Sequence, residues 1–289
     1  MEALQLRKLG ARFAAEAVGV DLSQPLSEAL FRQIEDAFNT HSVLVFRGQN
    51  LTEAQHVAFS RRFGELEVHV RKDKLKDHFP EIFVVSNVYE NGRPIGSVDA
   101  GQFWHTDLSY MANPSRGSLL LAREVPMREG VAVGDTMFLS TIAAYEALPG
   151  EMKSRIAGLK AVHHYEKGYN RDRPSGKRPP LTEEQRRAVP DVAHPVVRTH
   201  PYTGAKCLFV NEGYTASIEG LAKDESDRLL DALFAHCERE EFIYRHNWRV
   251  GDLVMWDNCS TQHKAVGDYD LSQRRRMDRT TLKGTAAPV

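Results

Sequence analysis

Apolar residues recur at helical spacing in a few stretches, and elsewhere they gather in short runs. Over 26–40, Leu30, Phe31, Ile34, Ala37 and Phe38 fall on one side, and Ser27 stands where an N-cap is needed, which predicts a helix. Thr52 and Gln55 make the T-x-x-Q pair of a capping box, so a second helix is expected from 52 through Phe59 and Phe63 to Gly64. Leu229, Leu230, Leu233 and Phe234 predict a third over 224–237. Two short helices, 141–148 and 151–159, are separated by Pro149-Gly150. Strands are expected at Val43–Phe46, 82–85, Gly117–Glu124, 134–138, 194–198, 206–210, 242–248, 253–256 and 277–282.

Helices gather early and at two insertions, whereas strands carry the middle and the end. A doubly wound parallel sheet needs regular strand–helix alternation, which is missing. The pattern fits a mainly β protein with peripheral helices around a two-sheet antiparallel sandwich or jelly roll, built as one domain over 1–289. Two segments, 67–101 and 166–190, have little apolar periodicity and are rich in polar and charged residues. They read as solvated loops or as lids over a site.

Composition narrows the partners. The 38 basic and 39 acidic side chains leave a net charge of −1, without the basic field that duplex binding needs. No 18-residue apolar run is present and residues 1–7 lack a signal-peptide core, so neither a membrane span nor export is expected. Cys207, Cys237 and Cys259 have no metal-ligand spacing and read as reduced thiols of a cytoplasmic protein.

Candidate chemistry centres on Phe103-Trp104-His105-Thr106-Asp107-Leu108-Ser109-Tyr110. In an extended segment residues i and i+2 share a face, so His105 and Asp107 can reach one metal ion. His263, after Trp256-Asp257-Asn258, is the best third ligand. Two His and one carboxylate on one side of a metal leave the opposite positions open, as in non-haem Fe(II) oxygenases. Phe103, Trp104 and Tyr110 are either pocket wall or core, and Trp248 and Trp256 read as core. In Arg274-Arg275-Arg276-Met277-Asp278-Arg279, a strand would put Arg275, Met277 and Arg279 on one face and Arg274, Arg276 and Asp278 on the other. The first set would point inward with His263, and a buried Arg needs an anion. Structural ion pairs or a solvated turn are the plainer reading of the same run.

Together, Ser42–Arg47, Phe63–Leu66, Trp104–Asp107, Gly134–Thr136, Pro195–Pro201 and Trp256–Asn258 leading to His263 resemble, from about Gly19 to Leu282, the Fe(II)/2-oxoglutarate-dependent dioxygenases of the taurine dioxygenase and phenoxyacetate dioxygenase (TauD/TfdA) group. The resemblance implies a double-stranded β-helix core, Fe(II) held by His105, Asp107 and His263, and 2-oxoglutarate and O2 as cosubstrates. It implies that Arg275 holds the distal carboxylate of 2-oxoglutarate with Thr136. The chain is one residue longer than those relatives between His263 and the arginines, so Arg274 and Arg276 stay as alternatives. Arg279 matches the arginine that meets the substrate's acidic group. His69 falls where the taurine enzyme contacts its sulfonate, and Lys72 stands where that enzyme has Tyr, which argues against taurine itself. Arg71 and Lys74 either add positive charge above the metal or are solvated.

The implied reaction is hydroxylation of a small organic anion such as a sulfonate, carboxylate or amino acid, with or without fragmentation, releasing succinate and CO2. Asp107 favours it over halogenation, whose catalysts carry a small residue there. Desaturation or another C–H oxidation fits the same ligands. A Zn hydrolase and a non-catalytic metal-binding module are readings from other classes. The resemblance also implies a homodimer or homotetramer.

Overall fold

The computed structural model describes residues 3–69, 74–97, 101–171 and 180–289. Two facing sheets form its centre. The larger has eight strands in the spatial order Gln5–Lys8, Ala15–Val18, Val43–Phe46, Leu253–Asp257, Gly117–Glu124, Arg276–Leu282, Phe79–Ser86 and Leu75–Lys76. Every neighbouring pair is antiparallel except Ala15–Val18 with Val43–Phe46. The smaller sheet has Thr136–Ser140 between Ile243–His246 and Thr261–Ala265.

Strand periodicity explains why the central runs are apolar on both faces. Val43, Val45, Leu120, Ala122, Val254, Trp256 and Met277 point toward the smaller sheet and pack with Phe138 and Tyr244 between the layers. Their alternates, Leu44, Phe46, Leu119, Leu121, Leu253 and Met255, point the other way, onto Leu30, Phe31, Ile34, Phe38, Val57, Phe59 and Phe63. Of those last residues, all but Phe63, which follows the second, lie on the apolar faces of two helices, Glu28–His41 and Glu53–Arg61. Ser27 caps the first, accepting from the Leu30 N–H, and the second opens with the expected box between Thr52 and Gln55. The outer side of the smaller sheet is covered in the same manner. Leu139 packs there with Leu229, Leu230 and Leu233 of the helix Lys223–Cys237.

The protein is thus mainly sheet with peripheral helices, as its pattern predicts. The expected strand at 82–85 is longer, Phe79–Ser86, and pairs with Arg276–Leu282, so this part of 67–101 belongs to the large sheet. The expected loop at 166–190 overlaps two short helices, Tyr165–Tyr169 and Glu183–Ala188. Among the described residues, no helix is long and apolar enough to cross a membrane.

Candidate active site

The metal-ligand candidates meet at one end of the space between the sheets. His263 stands on Thr261–Ala265 and is bridged to His105 by two main-chain hydrogen bonds, His263 N–H to His105 O at 2.8 Å and His105 N–H to His263 O at 3.2 Å. Their rings lie 4.1 Å apart, centre to centre. His-x-Asp is therefore a single bridge rather than a strand, and at Asp107 the chain turns. Leu108 follows with φ 55°, a left-handed conformation rare for a branched side chain and held by the surroundings.

One buried site gathers the three groups. Candidate ligand atoms of His105, Asp107 and His263 lie within 4.8 Å of one another. His105 Nε2 is 3.7 Å from Asp107 Oδ1, and His263 Nε2 is 3.9 Å from Asp107 Oδ2. These gaps are too wide for hydrogen bonds and suit a shared cation. His105 Nδ1 faces the Phe103 carbonyl at 2.8 Å, and a carbonyl can only accept, so Nδ1 carries a proton and Nε2 is the nitrogen left to face the site. Burial, with His105 beside it, holds His263 well below the usual imidazole pKa, which favours its neutral form. Burial alone would push the Asp107 carboxyl up. The Arg279 guanidinium first, with the Ser118 hydroxyl donating to the carboxylate, outweighs it and leaves Asp107 ionised. Two neutral imidazoles and a carboxylate fit a divalent metal.

A methyl at Gly101 would sit 2.6 Å from the His105 ring, and Gly101 has φ +74°, so that position needs glycine on both counts. Nothing in its sequence neighbourhood announced this.

A cavity on one side of the metal candidates is lined by Val85, Leu120, Thr136, Trp256, His263, Arg275 and Arg279. Arg275 is 5% exposed and pairs with no carboxylate among the described residues. Its Nε has no partner there, and its Nη2 reaches only the Gly134 carbonyl, at 3.4 Å. Burial pushes its pKa down, against the pull of Tyr269 and Asp135. A guanidinium so placed lacks its anion. Its neighbours in sequence are settled differently. Arg274 is exposed on Glu124, and Arg276 lies between Glu90 and Asp278. Thr136 Oγ1 accepts from Trp248 Nε1 at 3.0 Å. Since an indole N–H can only donate, the threonine proton remains available to an acceptor in the cavity. Trp248, expected to be core alone, thus orients a polar group.

A second cavity opens on the other side, lined by His69, Phe83, Phe103, His105, Asp107, Tyr110, Tyr214 and Arg279 among others. Arg279 borders both cavities, with Nη1 donating to Asp107 Oδ1 at 3.1 Å and the guanidinium 5.1 Å from the Phe83 ring centre. The His69 ring packs on Phe83 at 4.6 Å. Phe103 and Tyr110 are wall residues, whereas Trp104 turns into the core with Leu139 and Val210. Tyr165, Tyr169 and Tyr214, not singled out by sequence, extend the wall. Lys74 is buried with Nζ on the Pro94 carbonyl, while Arg71 and Lys72 lie outside the described residues.

A second cluster, His200, Asp257 and Cys259, is equally buried but is committed internally. His200 Nδ1 accepts from the Tyr202 and Thr203 N–H groups, so Nε2 carries the proton and donates to Asp257 Oδ2 at 2.8 Å. Asp257 Oδ1 accepts from the Cys259 N–H at 2.6 Å.

The family model described as "Taurine catabolism dioxygenase TauD, TfdA family" matches residues 5–281. An alpha-ketoglutarate-dependent 2,4-dichlorophenoxyacetate dioxygenase from Cupriavidus pinatubonensis is 39% identical over 279 residues, covering 93% of this chain and 94% of that one. An alpha-ketoglutarate-dependent sulfate ester dioxygenase from Pseudomonas putida is 32% identical over 291 residues, covering 97% and 90%. The crystal structure of AAD-2 in complex with Mn(II) and N-oxalylglycine matches with a TM-score of 0.84 at 33% identity, over 100% of this chain and 99% of that chain.

Proposed function

The chain belongs to the TauD, TfdA family and is a 2-oxoglutarate (alpha-ketoglutarate)-dependent dioxygenase that uses Fe(II) and O2; from that premise we propose that it hydroxylates a small organic anion held beside Arg279. The observation that carries the proposal is the pair of cavities meeting at His105 and Arg279, one lined by the buried Arg275 and both by the half-buried Arg279. The facing sheets are read as a double-stranded β-helix, with one cavity on each side of the metal.

His105, Asp107 and His263 would hold Fe(II). When bound, the metal supplies the redox centre for decarboxylation of 2-oxoglutarate to succinate and CO2 and for oxidation of a substrate C–H bond. Arg275 binds the distal carboxylate of 2-oxoglutarate, and Thr136 donates to the same group. Phe138 and Trp256 pack on the His263 ring and keep water from it. Arg279 and His69 hold the acidic group of the substrate. Phe83, Phe103, Tyr110 and Tyr214 exclude water around its carbon skeleton. Lys72, on its sequence position alone, is assigned a supporting charge for the same anion. That one relative acts on a phenoxyacetate and another on a sulfate ester supports an anionic substrate. Hydroxylation at a carbon bearing oxygen, sulfur or nitrogen gives a product that fragments.

The segments 67–101 and 166–190 are assigned as borders of the substrate entrance, supported by His69 and Ser97 from one and Gly168 and Tyr169 from the other. All three cysteines are free and buried, which supports a reducing, cytoplasmic setting.

The test compares Arg275→Ala with Arg279→Ala in succinate formation against 2-oxoglutarate concentration, and against a panel of small carboxylates, sulfonates and sulfate esters. Arg275→Ala should raise the 2-oxoglutarate KM more than tenfold. Arg279→Ala should instead abolish the stimulation given by an active anion while leaving the 2-oxoglutarate KM within a few-fold. The reverse pattern would swap the two pockets.

A further inference from the structure

Behind Asp107 lies a relay of buried polar side chains that the roles above do not use. Ser118 Oγ donates to Asp107 Oδ2 at 2.7 Å, and Ser115 Oγ donates to the Asp107 main-chain carbonyl at 2.9 Å. Both hydroxyls lie against one amide, with Asn258 Nδ2 2.9 Å from Ser115 Oγ and 3.4 Å from Ser118 Oγ. Asn258 Oδ1 in turn accepts from Trp256 Nε1 at 3.1 Å. Ser115, Ser118, Trp256 and Asn258 are each no more than 1% exposed, so water does not substitute for any of these bonds.

The relay has one direction. An indole N–H can only donate, so the Asn258 carbonyl faces Trp256 and its NH2 faces the serines. At the other end a carboxylate and a main-chain carbonyl can only accept, so both serine protons point at Asp107 and both serine oxygens accept from Asn258. Every proton is therefore placed, and the last bond, to an ionised carboxylate, is charge-assisted. Asn258 also lies in the turn between Leu253–Asp257 and Thr261–Ala265, the strand that carries His263. Its main-chain N–H donates to Arg116 O at 2.8 Å, and the turn is tied from the other side by Asp257 on His200.

We propose that Asn258 is a positioning residue for the metal, acting through Ser118 on the carboxylate and through Ser115 on the main chain of Asp107. Asp107 is thereby presented in one orientation, at a fixed relation to His263, before the metal arrives. The proposal rests on the reading that His105, Asp107 and His263 hold the metal. Loss of such outer partners weakens metal binding by about 10–100-fold.

The experiment is Mn(II) titration of the full-length protein, followed by calorimetry and by the loss of the free-ion EPR signal, with metal-free thermal melting recorded for each variant. Asn258→Ala and Ser118→Ala should each weaken Mn(II) binding about 10-fold or more. In a Ser115→Ala/Ser118→Ala background, Asn258→Ala should add less than a twofold loss, because the residues it acts through are gone. Mn(II) binding within twofold of wild type in Asn258→Ala or Ser118→Ala would overturn the proposal, as would an undiminished effect of Asn258→Ala in the double-serine background. If Asn258→Ala does not fold, the double-serine variant decides, with a 10-fold or greater loss supporting the relay and a change under twofold overturning it. Asp107→Ala separates this from the underlying reading, since Mn(II) binding retained there would refute the ligand set itself.

Discussion

Replacing Arg275 by Met should move two quantities in opposite directions. The guanidinium is buried, its Nε has no partner, and its one polar contact is a long one to the Gly134 carbonyl. A buried donor left unsatisfied costs about 1–3 kcal/mol. Met fills much of the same volume without that penalty, so the ligand-free variant should gain about 1–2 kcal/mol. For a chain of this size that is a rise in Tm of about 2–4 °C per kcal/mol. Binding responds in the opposite sense. A carboxylate meeting the guanidinium gains roughly 1.5–3 kcal/mol per charge-assisted bond. Losing two such bonds costs about 3–6 kcal/mol, or roughly 140- to 20,000-fold in affinity at about 1.4 kcal/mol per decade. Calorimetric melting without ligand, paired with succinate formation across 2-oxoglutarate concentrations, reads both effects. A fall of several degrees in the ligand-free Tm, together with a 2-oxoglutarate KM within threefold of wild type, would refute the reasoning, because Arg275 would then have a structural partner and no ligand.

The remaining expectations concern single bonds and protons. Trp248→Phe removes the indole N–H that fixes the Thr136 hydroxyl, and at about 1 kcal/mol per hydrogen bond it should raise the 2-oxoglutarate KM about fivefold with kcat nearly unchanged; a kcat loss with KM unmoved would disprove that role. Burial, then the neighbouring His194, push the His163 pKa down to about 3. Since the folded pKa lies below that of the unfolded chain, this stability is present above about pH 6.5 and is lost as the pH falls toward 3, at up to about 1.4 kcal/mol per pH unit. Denaturant melts of His163→Phe between pH 6 and 4 should therefore show a shallower pH slope by about that amount, and an unchanged slope would contradict the assignment. Removing metal with a chelator should lower the Tm, by the equivalent of about 2.7 kcal/mol relative to protein in free metal at about 100 times the native-state Kd, whereas the Asp107→Ala variant should show no such difference.

The sheets were legible because their central strands are buried on both faces. Runs such as Leu119–Ala122 carry apolar residues at every position, and the caps at Ser27 and Thr52 obey local rules that hold in any fold. Period two also placed Arg275, Met277 and Arg279 on the inward face, where the structure has them. Strand boundaries such as Phe79 for Ile82 were missed because Phe79-Pro80-Glu81 has no apolar alternation, and Phe79 is held in the strand by pairing with Lys76 of the short edge strand Leu75–Lys76. The relay through Asn258 and the role of Trp248 depend on which atom of one side chain faces which atom of another. No spacing rule reports that. The same holds for Gly101, whose requirement arises from the His105 ring above it.

The most direct test of the account is succinate formation by purified full-length protein with Fe(II), 2-oxoglutarate and O2, measured with and without each member of the anion panel for wild type and for Asp107→Ala. The account predicts slow succinate release by wild type alone, a marked increase with at least one small organic anion, and neither in Asp107→Ala. Succinate release by Asp107→Ala at the wild-type rate would contradict it.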